Sequence, residues 1–147
     1  MQKDTERYIK LVQNYVKDNY KKCFREPHGK FKFPCVVPGS SYSDQLWDWD
    51  SWLTDVALAA AADGDDIIVY EQGCVLNFLS AADEEGRIPI NIIADKESIF
   101  DLKPNTRVNI HKPCLAQHAL FVAKKSGNDV EWLRDKFSVL KRFVKWY

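Results

Sequence analysis

The sequence has no excess of charge of either sign: lysine plus arginine and aspartate plus glutamate both number 21, and the pI is near 6.8. A nucleic-acid-binding surface normally appears as a basic excess on one face. The lysine pairs at Lys21, Lys22, Lys124 and Lys125 read as solvated helix faces, so nucleic acid is not an expected partner. No uncharged apolar run approaches the ~20 residues needed to span a bilayer, so no membrane partner is expected either. The amino terminus has no apolar h-region, and the expectation is a chain without a cleaved secretory signal. The cysteines at 23, 35, 74 and 114 form no C-x-x-C pair, which removes the usual zinc and redox spacings. Free thiols in a reducing cytoplasm are expected instead. There is no Ser/His/Asp or Cys/His nucleophile pattern and no phosphate-binding glycine loop.

What is present is helical periodicity over a length, 147 residues, that suits one domain with a core. Residues 4 to 26 carry Tyr8, Val12, Tyr15, Val16, Tyr20, Cys23 and Phe24 at three- and four-residue steps, which predicts one long amphipathic helix stopped by Pro27 and Gly29. A second helix is expected from Ser51 to Ala62, with Asp50 or Ser51 as N-cap and Gly64 as the stop. Its alanine-rich part is apolar nearly all round and should be buried on several sides. A third is expected over residues 66 to 82, and a fourth from Pro113 to Gly127. A fifth follows from residue 128 or 129, with Val130, Leu133, Phe137, Leu140 and Val144 on one stripe. The fold class read from this pattern is all-α. Short turns at Gly64 and Gly127 alternate with long irregular segments, 27 to 49 and 84 to 109, the second with a short helix expected near 98 to 102. Loops of that length inside a compact domain are commonly functional, and in this arrangement they gather at one end.

Three segments share that end. Residues 45 to 52 read Gln-Leu-Trp-Asp-Trp-Asp-Ser-Trp, residues 86 to 91 Gly-Arg-Ile-Pro-Ile-Asn, and residues 109 to 116 Asn-Ile-His-Lys-Pro-Cys-Leu-Ala. Indoles are flat platforms for the C–H face of a sugar ring, and carboxylates accept from its hydroxyls. Buried without partners, neither an indole N–H nor a carboxylate is cheap to keep.

In this order the three segments resemble the six-hairpin glycosidases, and most of all trehalase and glycoside hydrolase family 63, which includes processing α-glucosidase and mannosylglycerate hydrolase. The resemblance implies helical hairpins forming part of an (α/α)6 barrel, with a sugar funnel at one end and inverting hydrolysis of an α-linked glucoside. Inversion needs an Asp acid and a Glu base roughly 6.5–9.5 Å apart, and the chemistry so framed requires no metal or cofactor. By the same resemblance Trp49 offers a stacking face and Asp50 accepts from sugar hydroxyls, unless Asp50 serves as the helix N-cap. Trp47 and Asp48 line the funnel wall. Asn91 contacts a hydroxyl or braces its loop, Ile90 departing from the family's Pro-Asn pair. His111 stands where the family has glutamine before two prolines, and as a neutral imidazole that can donate and accept it keeps the expected ligand contact.

Other residues take plainer expected roles. Trp52 is core, Gln117 and His118 are interior polar residues, and Arg87 and Arg107 are surface charge. Asp55, Asp63, Asp65 and Asp66 are helix-surface or capping residues. Six hairpins need roughly 300 residues or more. Residues 1–147 are therefore read as the amino-terminal part of one catalytic domain, holding part of the funnel but neither acid nor base. A partial ring would leave an apolar inner face exposed, a surface for self-association. The alternatives are a small all-α interaction module with the aromatic cluster in its own core, and a non-catalytic sugar-binding module.

Overall fold

The computed structural model describes residues 2–62, 64 and 66–147. It is mostly helical: five α-helices, α1 (Gln2–Asn19), α2 (Asp48–Ala61), α3 (Ile67–Ser80), α4 (Leu115–Lys125) and α5 (Phe137–Trp146), with two small antiparallel sheets. Three of their four strands lie in the segments expected to be irregular, and the first lies at the end of the expected first helix. β1 (Phe24–Arg25) pairs with β2 (Cys35–Val36), and β3 (Gln45–Trp47) pairs with β4 (Asn91–Ile93).

The first helix is shorter than its pattern predicts. It ends at Asn19 and tightens into a 3-10 turn over Tyr20–Cys23, because Phe24 and Arg25 extend to pair with Val36 and Cys35. Its stripe finds a partner only at the carboxyl end. Val16, Tyr20, Cys23 and Phe24 pack on the core, whereas Tyr8, Val12 and Tyr15 are exposed, Tyr15 to 68%.

α2 departs further from expectation. It begins at Asp48 rather than Ser51, so Asp50 lies in the first turn and is not the N-cap. Its buried residues are Asp48, Ser51, Asp55 and Leu58, a row at three- and four-residue steps that is polar for most of its length. The apolar row Trp49, Leu53 and Val56 faces outward, and Ala57, Ala59 and Ala60 are exposed with it. The alanine-rich stretch is therefore not buried on several sides; the helix is amphipathic with its polar face inside.

α3 occupies the middle of the molecule and packs on β2, Gly73 lying against the backbone of Pro34. Cys35, Val36, Leu46, Ile67, Val75, Phe78, Ile88, Leu115 and Phe143 belong to the core around it. At the carboxyl end a 3-10 helix, Glu131–Lys136, precedes α5. That segment turns 120° per residue instead of 100°, which rotates the expected stripe out of register. Leu133 and Leu140 remain buried, Val130, Phe137 and Val144 point to solvent, and Phe143 becomes the anchor. Residues 98 to 102 form a single turn, closed by Asp101 N–H on Ser98 O at 3.1 Å, and not a helix.

Candidate functional site

The sheet β3–β4 brings the first two motif segments together, with Trp47 opposite Asn91 and the Asp48 N–H on Ile90 O at 3.0 Å. The third segment lies along the second: Ile90 N–H donates to Asn109 O and His111 N–H to Ile88 O, both at 2.8 Å. All three segments thus meet where α2 and α4 begin. Two side-chain links hold those helices side by side and parallel, Lys112 to Asp48 at the start and His118 to Asp55 two turns on. α3 runs back along α4, its first turns reaching the end of α4 through Glu71 and Lys125.

Asp48 is 1% exposed. Its Oδ2 accepts from the backbone N–H of Lys112 at 3.1 Å and from Lys112 Nζ at 3.0 Å. Standing in the first turn of α2, its negative charge is also favoured by the helix dipole. Asp48 is thus the clamp between the motif and α4, and not a wall residue open to a ligand. The same Lys112 Nζ lies 5.0 Å from the centroid of the Trp49 ring. Trp49 itself is 51% exposed and Asp50 is half-buried beside it. Trp47 is half-buried, its Nε1–H donating to Gln45 Oε1 at 3.1 Å and its ring edge-on to Phe100 at 5.1 Å.

Asn91 braces its loop, as one of its two expected roles has it. Buried at the sheet, it donates from Nδ2 to Leu46 O at 3.0 Å and accepts at Oδ1 from Ser98 Oγ at 2.7 Å. His111 is also buried, its ring between those of Phe78 and Phe143. Its Nδ1 lies 2.7 Å from Lys112 O, so the proton sits on Nδ1 and donates to that carbonyl. Burial pulls its pKa down to about 4, leaving the imidazole neutral. The accessible part of the motif is therefore Trp49, Asp50, Lys112 and an edge of Trp47. A groove of about 370 Å³ opens beside β4, lined by Lys30, Lys32, Ser80, Asp101 and Leu102, with Asn91 at its back and no indole in its walls.

Behind the motif lies a cluster that sequence reasoning missed. Asp55, assigned to the helix surface, is fully buried with its Oδ2 2.6 Å from His118 Nε2. Next to it Glu71, also fully buried, accepts from Lys125 Nζ at 2.7 Å, so Lys125 is not a solvated lysine. Burial pushes the Asp55 and Glu71 carboxyls up, and pulls the His118 imidazole down to about 3. The pair Asp55–His118 is accordingly neutral, with one proton between an oxygen and a nitrogen. His118 is interior, as expected, but Gln117 is exposed. Asp66 lies on the surface in an ion pair with Lys21, while Asp63 and Asp65 lie outside the described residues. Arg87 is folded down onto Asp83 at 2.7 Å, and Arg107 lies over the Trp146 ring at 5.1 Å. The spacing 48, 51, 55 was the available signal for the cluster, a polar row on one helix face.

Among the described residues no group of three or more His, Cys, Asp or Glu side chains is arranged to hold a metal ion, and no helix is long and apolar enough to cross a membrane. No known protein-family model matches the chain, and no curated protein matches it.

Proposed function

We propose that this chain is the sugar-binding part of an (α/α)6 glycoside hydrolase acting on an α-linked glucoside. Trp49 offers the stacking face and Asp50 the hydroxyl acceptor, and none of the residues described serves as general acid or base. The observation that carries the reading is the convergence of the three motif segments at the shared starting end of two parallel helices, with a half-exposed indole at that end. Parallel α2 and α4 with α3 running back is the alternation a ring of helical hairpins requires. Four free thiols, two of them buried, support a reducing, cytoplasmic setting.

The test is a titration of intrinsic tryptophan fluorescence with trehalose, maltose and methyl α-glucoside. Saturable binding without hydrolysis is expected. Trp49→Ala should weaken it about tenfold, because an aromatic face contributes on the order of 1–1.5 kcal/mol. A wild-type chain that shows no saturable change with any α-glucoside sinks the proposal.

A second reading, a small helical interaction module, is favoured by the internal use of Asp48, Asn91 and His111 as braces. The outward row of α2 serves either reading. Beyond Trp49, Leu53 and Val56 make an apolar surface that a ring would cover and that two copies of the chain would otherwise cover for each other. Self-association is the proposed outcome for the chain alone. Leu53 is 54% exposed, so Leu53→Glu should leave the fold intact and shift sedimentation toward the monomer. A wild type that sediments as a monomer at every concentration removes this surface from consideration.

A further inference from the structure

Among the described residues, seven buried side-chain polar atoms have no protein partner, and they belong to residues that the Asp48–Lys112, Asp55–His118 and Glu71–Lys125 links bring to one region. α2 contributes Asp48 Oδ1, Ser51 Oγ, Trp52 Nε1 and Asp55 Oδ1. The other three are His111 Nε2 and His118 Nδ1 from the α4 side and Glu71 Oε2 from α3. On α2 the row rises about 10 Å, at ~1.5 Å per residue from 48 to 55. Positions 111 and 118 keep pace with it, because Lys112 is tied to Asp48 and His118 to Asp55. Native proteins leave few buried polar groups unpaired, so a concentration of them in one place calls for something that pairs them.

The chemistry of the seven atoms selects what that is. Asp48 Oδ1, Asp55 Oδ1 and Glu71 Oε2 accept. So does His111 Nε2, since the proton of that ring is on Nδ1. Trp52 Nε1–H donates only, and His118 Nδ1–H donates once its Nε2 accepts from Asp55. Ser51 Oγ does either. A cation would meet two N–H groups pointing at it, and an anion would meet three carboxylate oxygens. Water has two donors and two acceptors and suits a mixed wall. We propose that the seam between α2 and α4 encloses a file of ordered water molecules, running from Asp48 and His111 at the motif end to Glu71 and Lys125 at the far end. With about three hydrogen bonds to each buried water, seven atoms call for about two or three molecules. Asp48 acts electrostatically on His111, and Asp55 and His118 on Glu71, so these groups are near neighbours. The proposal holds whether or not the surface above it binds a sugar.

The Trp52 indole N–H reports on it directly. In nitrogen-edited NOESY and ROESY spectra of the folded wild-type chain, Trp52 Hε1 should show a dipolar cross-peak to water. Its sign should mark a residence longer than molecular tumbling. The half-exposed Trp49 should show only the weak contact of bulk solvent. Oxygen-17 relaxation dispersion should count about two long-lived waters or more. Ser51→Val fills space with methyls and removes a polar wall, and should reduce that count and erase the Trp52 contact with the circular dichroism unchanged. A Trp52 Hε1 that sees no long-lived water in the wild type overturns the proposal, and this measurement decides even if the variant fails to fold.

Discussion

Gly73→Ala is expected to destabilise the chain by about 3 kcal/mol or more in urea denaturation, the opposite of what helix propensity alone requires. Alanine in a helix interior is ~1 kcal/mol better than glycine. Here the added methyl would sit 1.6 Å from Pro34 O and 2.8 Å from Pro34 C, distances no Cβ occupies. Both atoms are backbone, so relief requires α3 to move off the segment Phe33–Pro34. That movement reaches a set of hydrogen bonds which depend on the close approach. Asn77 Oδ1 accepts from Lys32 N–H at 2.7 Å and Phe33 N–H at 3.1 Å, and its Nδ2 donates to Phe33 O at 2.9 Å. One turn earlier, Val36 N–H donates to Cys74 Sγ at 3.2 Å. Overpacking a core typically costs about 1–3 kcal/mol, and losing buried hydrogen bonds adds to it. An unchanged or raised urea midpoint would show that α3 does not rest on Pro34 as described.

The case of Gly73 marks the boundary of what could be read from the chain. Nothing local distinguishes a glycine tolerated in a helix from one that lets a backbone approach, since the partner Pro34 is far away in sequence. The helices themselves were legible because a 3.6-residue period is a local property, and α3 appears within two residues of its expected ends. The convergence of the motif segments was legible too, from alternating loop lengths. The strands β1 to β4 were not, since each has only two or three residues and exists through a distant partner. Periodicity identifies a face but not its environment. It marked Tyr8, Val12 and Tyr15 as one side of α1 without telling that this side is uncovered. In α2 two rows compete, one apolar and one polar, and the usual preference for apolar burial chose the wrong one. The polar row is inside because its partners, Lys112 just before α4 and His118 on it, arrive with the charge and hydrogen bonds that burial of Asp48 and Asp55 demands.

That dependence sets the second large effect. His118→Ala should lower stability by about 3 kcal/mol, because it leaves the buried, neutral Asp55 carboxyl without its partner, at ~1–3 kcal/mol, and opens a cavity that adds to the loss. Asp55→Leu should cost a similar amount by stranding the imidazole. The double variant Asp55→Leu/His118→Leu should cost much less than the two together, with a coupling on the order of 2 kcal/mol, since two apolar side chains need no partner. Additive costs would mean that the two groups do not interact. The pH dependence of the pair follows from its proton count. Unfolded, Asp55 titrates near 3.8 and His118 near 6.5; folded, burial raises the first and lowers the second to about 3. From pH 3.8 up to 6.5 the unfolded chain holds one proton, on histidine, and where the raised Asp55 carboxyl keeps the shared proton the folded pair holds one too, so the pair contributes no slope there. Above 6.5 the unfolded chain releases its proton, and the folded pair keeps its own for as long as the raised Asp55 carboxyl holds it. Stability from the pair then falls with rising pH, by up to about 1.4 kcal/mol per unit. Below 3.8 the unfolded chain takes up a second proton that the folded pair accepts only near 3, and stability falls again. Burial also shifts His111 down and Glu71 up, so the quantity to plot is the stability of the wild type minus that of the double variant. A plateau between pH 4 and 6.5 that declines on both sides identifies one shared proton. A difference that instead rises steadily from acid to neutral pH would mean an ionised Asp55 and a different bond between the helices.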